Sequence, residues 1–149
     1  MPTYLADASI WIAQQRRRGS YLDELVTERY EDGEIVTCAP VLLEVLGGAA
    51  DGGSYERDWD FVFSGIDCLP LDERASRRAV EVQRALAATT RGAHRRPALD
   101  YLIAACAEAE DNVVLWHWDH DLRIICDHTG QPQEAEHARA RRQRLAQPD

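Results

Sequence analysis

Asp7, Glu44, Asp100, Asp119 and Asp121 lie far apart in the chain, yet each borders an apolar run that reads as part of a core. An acid at the C-terminal end of a buried strand, or in the first turn of a helix packed on it, faces the crevice of an α/β sheet. Carboxylates gathered there suit a hard divalent cation such as Mg²⁺ or Mn²⁺. Each acid alone has a plainer reading: Asp7 ends a strand, Asp100 favours a helix N-terminus, and Asp121 can cap a helix. Together they are harder to dismiss. Two carboxylates about 5 Å apart repel by roughly 3 kcal/mol at an effective dielectric near 20. Four such groups do not stay ionised together cheaply unless a cation neutralises them.

The elements that must position these acids follow from the apolar patterning. Thr3-Tyr4-Leu5-Ala6 reads as a buried strand ending at Asp7, with Ser9 able to cap the helix behind it. Tyr21, Leu22, Leu25 and Val26 repeat at helical spacing, and β-branched Ile35-Val36-Thr37-Cys38 suits a second strand. Pro40 opens a helix whose apolar face is Val41, Leu42, Val45 and Leu46, with Glu44 off that face. The stretch from Tyr55 to Phe63 reads as helical, Ile66 to Leu69 as a third strand, and Asp72 as the cap of a long helix reaching about Thr89. A polar, basic loop from Thr90 to Ala98 precedes a helix with Asp100 in its first turn. Val113 to Trp116 is a fourth strand, followed directly by Asp119, Asp121 and a short helix. The alternation of strands and helices predicts an α/β layered fold with a mainly parallel sheet. After Pro132 the chain is charged and poor in large apolar residues, which predicts a solvated helix or a frayed tail.

The chain has 149 residues, 45% hydrophobic and 29% charged, as expected of one globular domain with a real core. No apolar run approaches the roughly 20 residues that span a bilayer. No basic region precedes the first apolar segment, so no membrane role is expected and the cytoplasm is the expected compartment. Cys38, Cys68, Cys106 and Cys126 are widely spaced, without a C-x-x-C pair, and each lies in or beside an apolar run. They are expected to be reduced thiols in the core. The net charge of −9 argues against broad nonspecific nucleic-acid binding. All 17 basic residues are arginines, however, and they cluster at Arg16-Arg17-Arg18, Arg77-Arg78, Arg95-Arg96 and Arg139 to Arg144. Genome composition explains the choice of arginine over lysine but not the clustering. Arginine forks match phosphate oxygens bidentately.

Four segments carry a resemblance to a known family. Leu5-Ala6-Asp7-Ala8-Ser9, Pro40-Val41-Leu42-Leu43-Glu44-Val45, Leu99-Asp100-Tyr101-Leu102-Ile103-Ala104-Ala105 and Leu115-Trp116-His117-Trp118-Asp119-His120-Asp121 resemble a PIN domain. Their order and spacing are similar to those of the VapC toxins of bacterial toxin–antitoxin pairs. The resemblance covers residues 3 to about 135 and implies a PIN-like three-layer fold, with a four- to five-stranded sheet flanked by helices. It places the nuclease domain at residues 1–135 and a charged helix or tail at 136–149, with a final strand from Glu134 that is short or lost. It implies a Mg²⁺-dependent endoribonuclease, with Mn²⁺ a possible substitute, held inactive by a small VapB-like antitoxin and forming a homodimer. The family's four acids fall on Asp7, Glu44, Asp100 and Asp119, with Asp121 their usual neighbour and Ser9 the small hydroxyl residue beside the first acid. Leu122 stands where an aromatic is common.

Within that frame Asp7 and Asp100 are the expected direct metal ligands. Glu44 and Asp119 are left to bind a second cation, hold water or orient the nucleophile, in an in-line displacement at phosphorus. Ser9 has two compatible readings, a helix cap and a donor to Asp7 or to water at the cation. His117, between two tryptophans at a strand end, is expected to be packed or hydrogen-bonded rather than catalytic. His94, Arg95 and Arg96 are the candidate grip on RNA phosphates, set against a plain solvated loop. Two other function classes stay open. A degenerate PIN domain would bind RNA or a partner without cutting, against which stands the presence of every acid. A phosphatase or phospho-acceptor domain would also use strand-end aspartates but typically a lysine, and this chain has none.

Overall fold

The computed structural model describes residues 1–146. Five strands, β1 (Thr3–Ala6), β2 (Ile35–Cys38), β3 (Asp67–Leu69), β4 (Val113–His117) and β5 (Gln133–Ala135), form one sheet in the order β3-β2-β1-β4-β5. Every pairing is parallel. A parallel sheet needs crossovers, and helices supply them. These are α1 (Ala8–Arg16) and α2 (Tyr21–Glu31) after β1, α3 (Ala39–Gly47) and α4 (Gly52–Asp58) after β2, and α5 (Glu73–Ala87) and α6 (Ala98–Glu108) after β3. After β4 comes α7 (His120–Thr129), and α8 (Glu136–Ala146) follows β5. The expected α/β fold is present, with a five-stranded parallel sheet flanked by helices. No helix among the described residues is long and apolar enough to cross a membrane.

Chain direction reverses about β1. The first crossovers run outward through β2 to β3, and the chain then returns to lay β4 on the other side of β1. The C-terminal ends of β1 and β4 therefore flank the topological switch point, where open α/β sheets open a crevice. Register fixes the alignment there, because Leu5 pairs with Leu115 and Ala6 with Trp116. The Asp7 N–H continues the ladder onto the Trp116 carbonyl at 2.9 Å. The acids after the two strands are thus brought level with each other.

The central strands are short and apolar because both faces are covered. Leu5, Cys38, Leu115 and Trp116 are fully buried, with Ile10, Val41, Ile103, Leu122 and Ile125 packed over them. Leu122 thus fills core space without an aromatic ring. The helix expected from Tyr55 to Phe63 is α4 followed by one π-helical turn over Trp59–Phe63. Three thiols are buried as expected, but Cys68 is exposed. It lies on β3, a three-residue strand at the sheet edge whose residues are mostly exposed.

The C-terminal segment is more ordered by charge than its composition suggests. Strand β5 is present, though only three residues long, and the expected division after residue 135 falls between β5 and α8. Arg29 is buried, with its guanidinium 3.7 Å above the Tyr4 ring and 4.4 Å from the Trp116 ring, and it forks onto both carboxylate oxygens of Glu134. Glu136 is buried and accepts from the Trp116 indole N–H at 2.9 Å, while Arg139 binds both Glu134 and Glu136. On the α6 side, the buried Gln131 amide donates to the Ala104 carbonyl at 2.9 Å.

Candidate metal centre

Four elements deliver the five acids. Asp7 follows β1 and caps α1, its Oδ2 accepting from the Ser9 N–H at 3.0 Å. Asp119 follows β4 and caps α7, its Oδ1 accepting from the Leu122 N–H at 3.0 Å. A carboxylate at a helix N-terminus satisfies an orphan N–H and sits at the positive end of the helix dipole. Asp121 lies in the first turn of α7, Asp100 in the first turn of α6, and Glu44 in the middle of α3. Asp100, Asp119 and Asp121 form the tightest group, each offering an oxygen within 4.8 Å of the others.

Asp7 and Asp100 are buried, with 3% and 5% of their surface exposed. Burial pushes the Asp100 carboxyl up to about 8, and repulsion from Asp119, Asp7, Glu44 and Asp121 adds to it. Burial also raises Asp7, opposed by hydrogen bonds from the Ser9 hydroxyl and amide and reinforced by Asp119. Glu44 rises for the same reasons, desolvation first and then Asp7 and Asp119. These mutual effects place all five acids within one electrostatic field. Moreover, Asp7 Oδ1 and Asp100 Oδ2 are buried without a hydrogen-bond partner among the described residues. A buried carboxylate oxygen with no donor is costly. In a cluster built only of carboxylates, a hard divalent cation is the ligand that fits those two atoms.

A family profile of the PIN domain matches residues 4–127. Ribonuclease VapC18 of Mycobacterium tuberculosis is 35% identical over 103 residues, which cover 68% of this chain and 73% of the relative. The chain is a PIN domain of the VapC family. Among solved structures, DNA-bound VapBC from Salmonella typhimurium superposes with a TM-score of 0.67 at 19% identity, covering 91% of this chain and 98% of that one. VapBC2 from Rickettsia felis, bound to a DNA fragment from their promoter, gives 0.69 at 14% identity, over 89% and 98%. These two likenesses show the fold.

The other candidate residues of this PIN domain divide by their contacts. Ser9 does not cap α1, because Asp7 takes that position two residues earlier than the cap expected from sequence. Its hydroxyl instead accepts from the Trp118 N–H at 2.9 Å and ties α1 to the end of β4. His117 is fully buried, its Nδ1 accepting from the Asp119 N–H at 3.2 Å and its Nε2 lying 2.9 Å from Gln133 Oε1. With Nδ1 an acceptor the ring proton is assigned to Nε2, so the neutral imidazole holds the Asp119 backbone in place. In the loop before α6, Arg95 is exposed, and the His94 carbonyl accepts from the Tyr101 hydroxyl at 2.8 Å. Arg96 is drawn into the acid cluster, donating to Asp121 Oδ1 at 2.6 Å with its side chain 14% exposed.

Sequence reasoning missed the groove that Arg16 and Arg17 line together with Ser9 and Trp118. Helical spacing held the signal: positions 9, 13 and 16 recur at intervals of four and three and so share one face of α1. It also missed the buried Arg29–Glu134–Glu136 clasp. Charged residues are expected at the surface, and nothing local marks an exception.

Proposed function

We propose that this PIN domain is a divalent-cation-dependent endoribonuclease, the toxin of a type II toxin–antitoxin pair, restrained by a small VapB-like antitoxin and acting as a homodimer. The observation that carries the reading is the convergence of five acids on the switch point, with unpartnered oxygens on two of the most buried. Asp7 and Asp100, each with a buried oxygen that has no hydrogen-bond donor, would hold the cation. Asp119 adds the oxygen not engaged by Leu122 N–H, and Asp121, steadied by Arg96, closes the cluster. When bound, Mg²⁺ or Mn²⁺ supplies Lewis acidity at the scissile phosphate and makes water acidic enough to attack near neutral pH. The chain's own residues do the rest. Glu44, less buried and with a raised proton affinity, accepts the proton of the attacking water and orients it. The Ser9 hydrogen bonds favour the ionised form of Asp7 against the burial that raises it, and the His117 Nδ1 holds the Asp119 backbone N–H.

The kinship with a named ribonuclease and the fold shared with VapBC complexes support the toxin reading. The test is sequencing of RNA 5′ ends in cells after parallel induction of the wild-type chain and Asp7→Asn. New ends at defined positions are expected only with the wild type. Identical end profiles would remove the activity from this site and leave a PIN domain that binds without cutting.

A further inference from the structure

Most of the arginines near the sheet are already committed to carboxylates. Arg29 and Arg139 hold Glu134, Arg78 holds Glu108, and Arg96 holds Asp121. Arg16 and Arg17, at the end of α1, have no carboxylate partner among the described residues and are exposed. The Arg17 guanidinium lies over an indole instead, its Cζ 4.2 Å from the centre of the Trp118 ring. Trp118 is only half-buried, unlike Trp116 two residues earlier, which is fully enclosed. Together with Ser9, Ile12, Ala13 and Arg16, these two side chains line an open groove of about 390 Å³.

Two of the residues that line the groove adjoin acids of the site. Ser9 donates its N–H to Asp7 Oδ2, and Trp118 immediately precedes Asp119. The bond from Trp118 N–H to Ser9 Oγ fixes the indole's backbone against α1, so the aromatic surface and the arginines are held in one place relative to the metal centre. A carboxylate cluster repels an incoming phosphate backbone, and two guanidiniums without carboxylate partners, further along α1 from Asp7, attract it. An aromatic ring backed by a guanidinium plane offers a stacking surface that any unpaired base can use.

We propose that this groove is a stacking subsite for single-stranded RNA: Trp118 and Arg17 hold one nucleobase next to the scissile bond, and Arg16 binds a neighbouring phosphate. The proposal rests on the ribonuclease reading and adds to it a reason for preferring unpaired RNA. A base inside a duplex has no free face, so it cannot enter. The ring packs one side against the edge of the core and is half-buried, whereas Trp116 is fully enclosed.

The test uses the full chain carrying Asp100→Asn, so that RNA is held without being cut. Binding of a fluorescent random-sequence RNA strand is followed by anisotropy, with the same strand in a duplex as comparison. Trp118→Leu should weaken single-strand binding roughly tenfold, as loss of one base–aromatic stack does, and leave duplex binding unchanged. Trp118→Phe should retain most of the affinity. Arg16→Ser should reduce the slope of log affinity against log salt by about 0.7, one single-strand phosphate contact's worth. Unchanged single-strand binding by Trp118→Leu overturns the subsite and leaves the groove as a surface for a protein partner. Equal weakening on single strand and duplex also overturns it, because a stacking site would discriminate. Cleavage by the chain without Asp100→Asn, measured in Mg²⁺, separates the two ideas. If nothing is cut while binding depends on Trp118, the ribonuclease reading fails and the subsite stands. If RNA is cut while Trp118→Leu binds as its parent does, the subsite alone fails.

Discussion

Asp100 shows at the scale of one residue what the cluster costs without a counter-charge. It is nearly enclosed, four other acids bear on it, and one of its oxygens has no donor. Its carboxyl is raised to about 8 from an ordinary value of 3.8. A group whose folded pKa lies above its unfolded value favours the fold while it is protonated. That stability is fully present below about pH 4 and is lost as the pH rises through about 8. A divalent cation, in the proposed reading, would replace the missing proton. In metal-free buffer, the melting temperature of the wild type should therefore fall relative to that of Asp100→Asn between about pH 5 and pH 8, and Mn²⁺ should restore it in the wild type only. Parallel melting curves for the two proteins across that range, measured by scanning calorimetry, would show that the carboxyl is not strained by its neighbours.

At the scale of elements, the site depends on where β1 and β4 end, and Trp116 next to that end is held from the far side by the C-terminal segment. Arg29 links α2 to β5 while stacking on rings from β1 and β4, and Glu136 takes the indole N–H of Trp116. Breaking a buried pair from one side leaves the other charge unsatisfied, at a cost of about 3 kcal/mol. Arg29→Ala should lower unfolding stability by about that amount in urea titrations, with no change in the acids themselves. A loss under about 0.5 kcal/mol, typical of a surface ion pair, would mean that the clasp is solvated in solution. The contrast with the rest of the fold shows what the sequence could carry. Segments such as Leu5-Ala6-Asp7 and Leu115 to Asp119 announce strand, boundary and acid together, because apolar runs and capping residues are local signals. The clasp pairs residues 105 positions apart, and its members are charged, so neither periodicity nor composition marks them. Cys68 was misjudged for the opposite reason. Its local run is apolar, but exposure on β3 is decided by the strand's place at the edge of the sheet. The order β3-β2-β1-β4-β5, which brings Asp7 and Asp119 together, is likewise a property of the whole sheet.

The whole molecule combines a net charge of −9 with a crevice that concentrates acid, an unlikely surface for a polyanion without help. In the proposed reading a bound cation and the uncommitted arginines of the groove resolve that conflict, and both would make activity sensitive to ions. Kinship with VapC18 covers most of the chain, whereas the VapBC complexes resemble it through fold at under 20% identity. The chemistry must therefore be read from the acids of this chain. The most direct measurement is cleavage of single-stranded RNA by the purified protein, stripped of metal with EDTA and then titrated with Mg²⁺ or Mn²⁺, beside Asp100→Asn. Cleavage that is absent without metal, returns with added cation and falls at least a hundredfold in Asp100→Asn is the expected result, since ligand and charge are lost together. Undiminished cleavage by Asp100→Asn, or by the wild type in excess EDTA, would contradict a carboxylate-bound cation as the centre of this site.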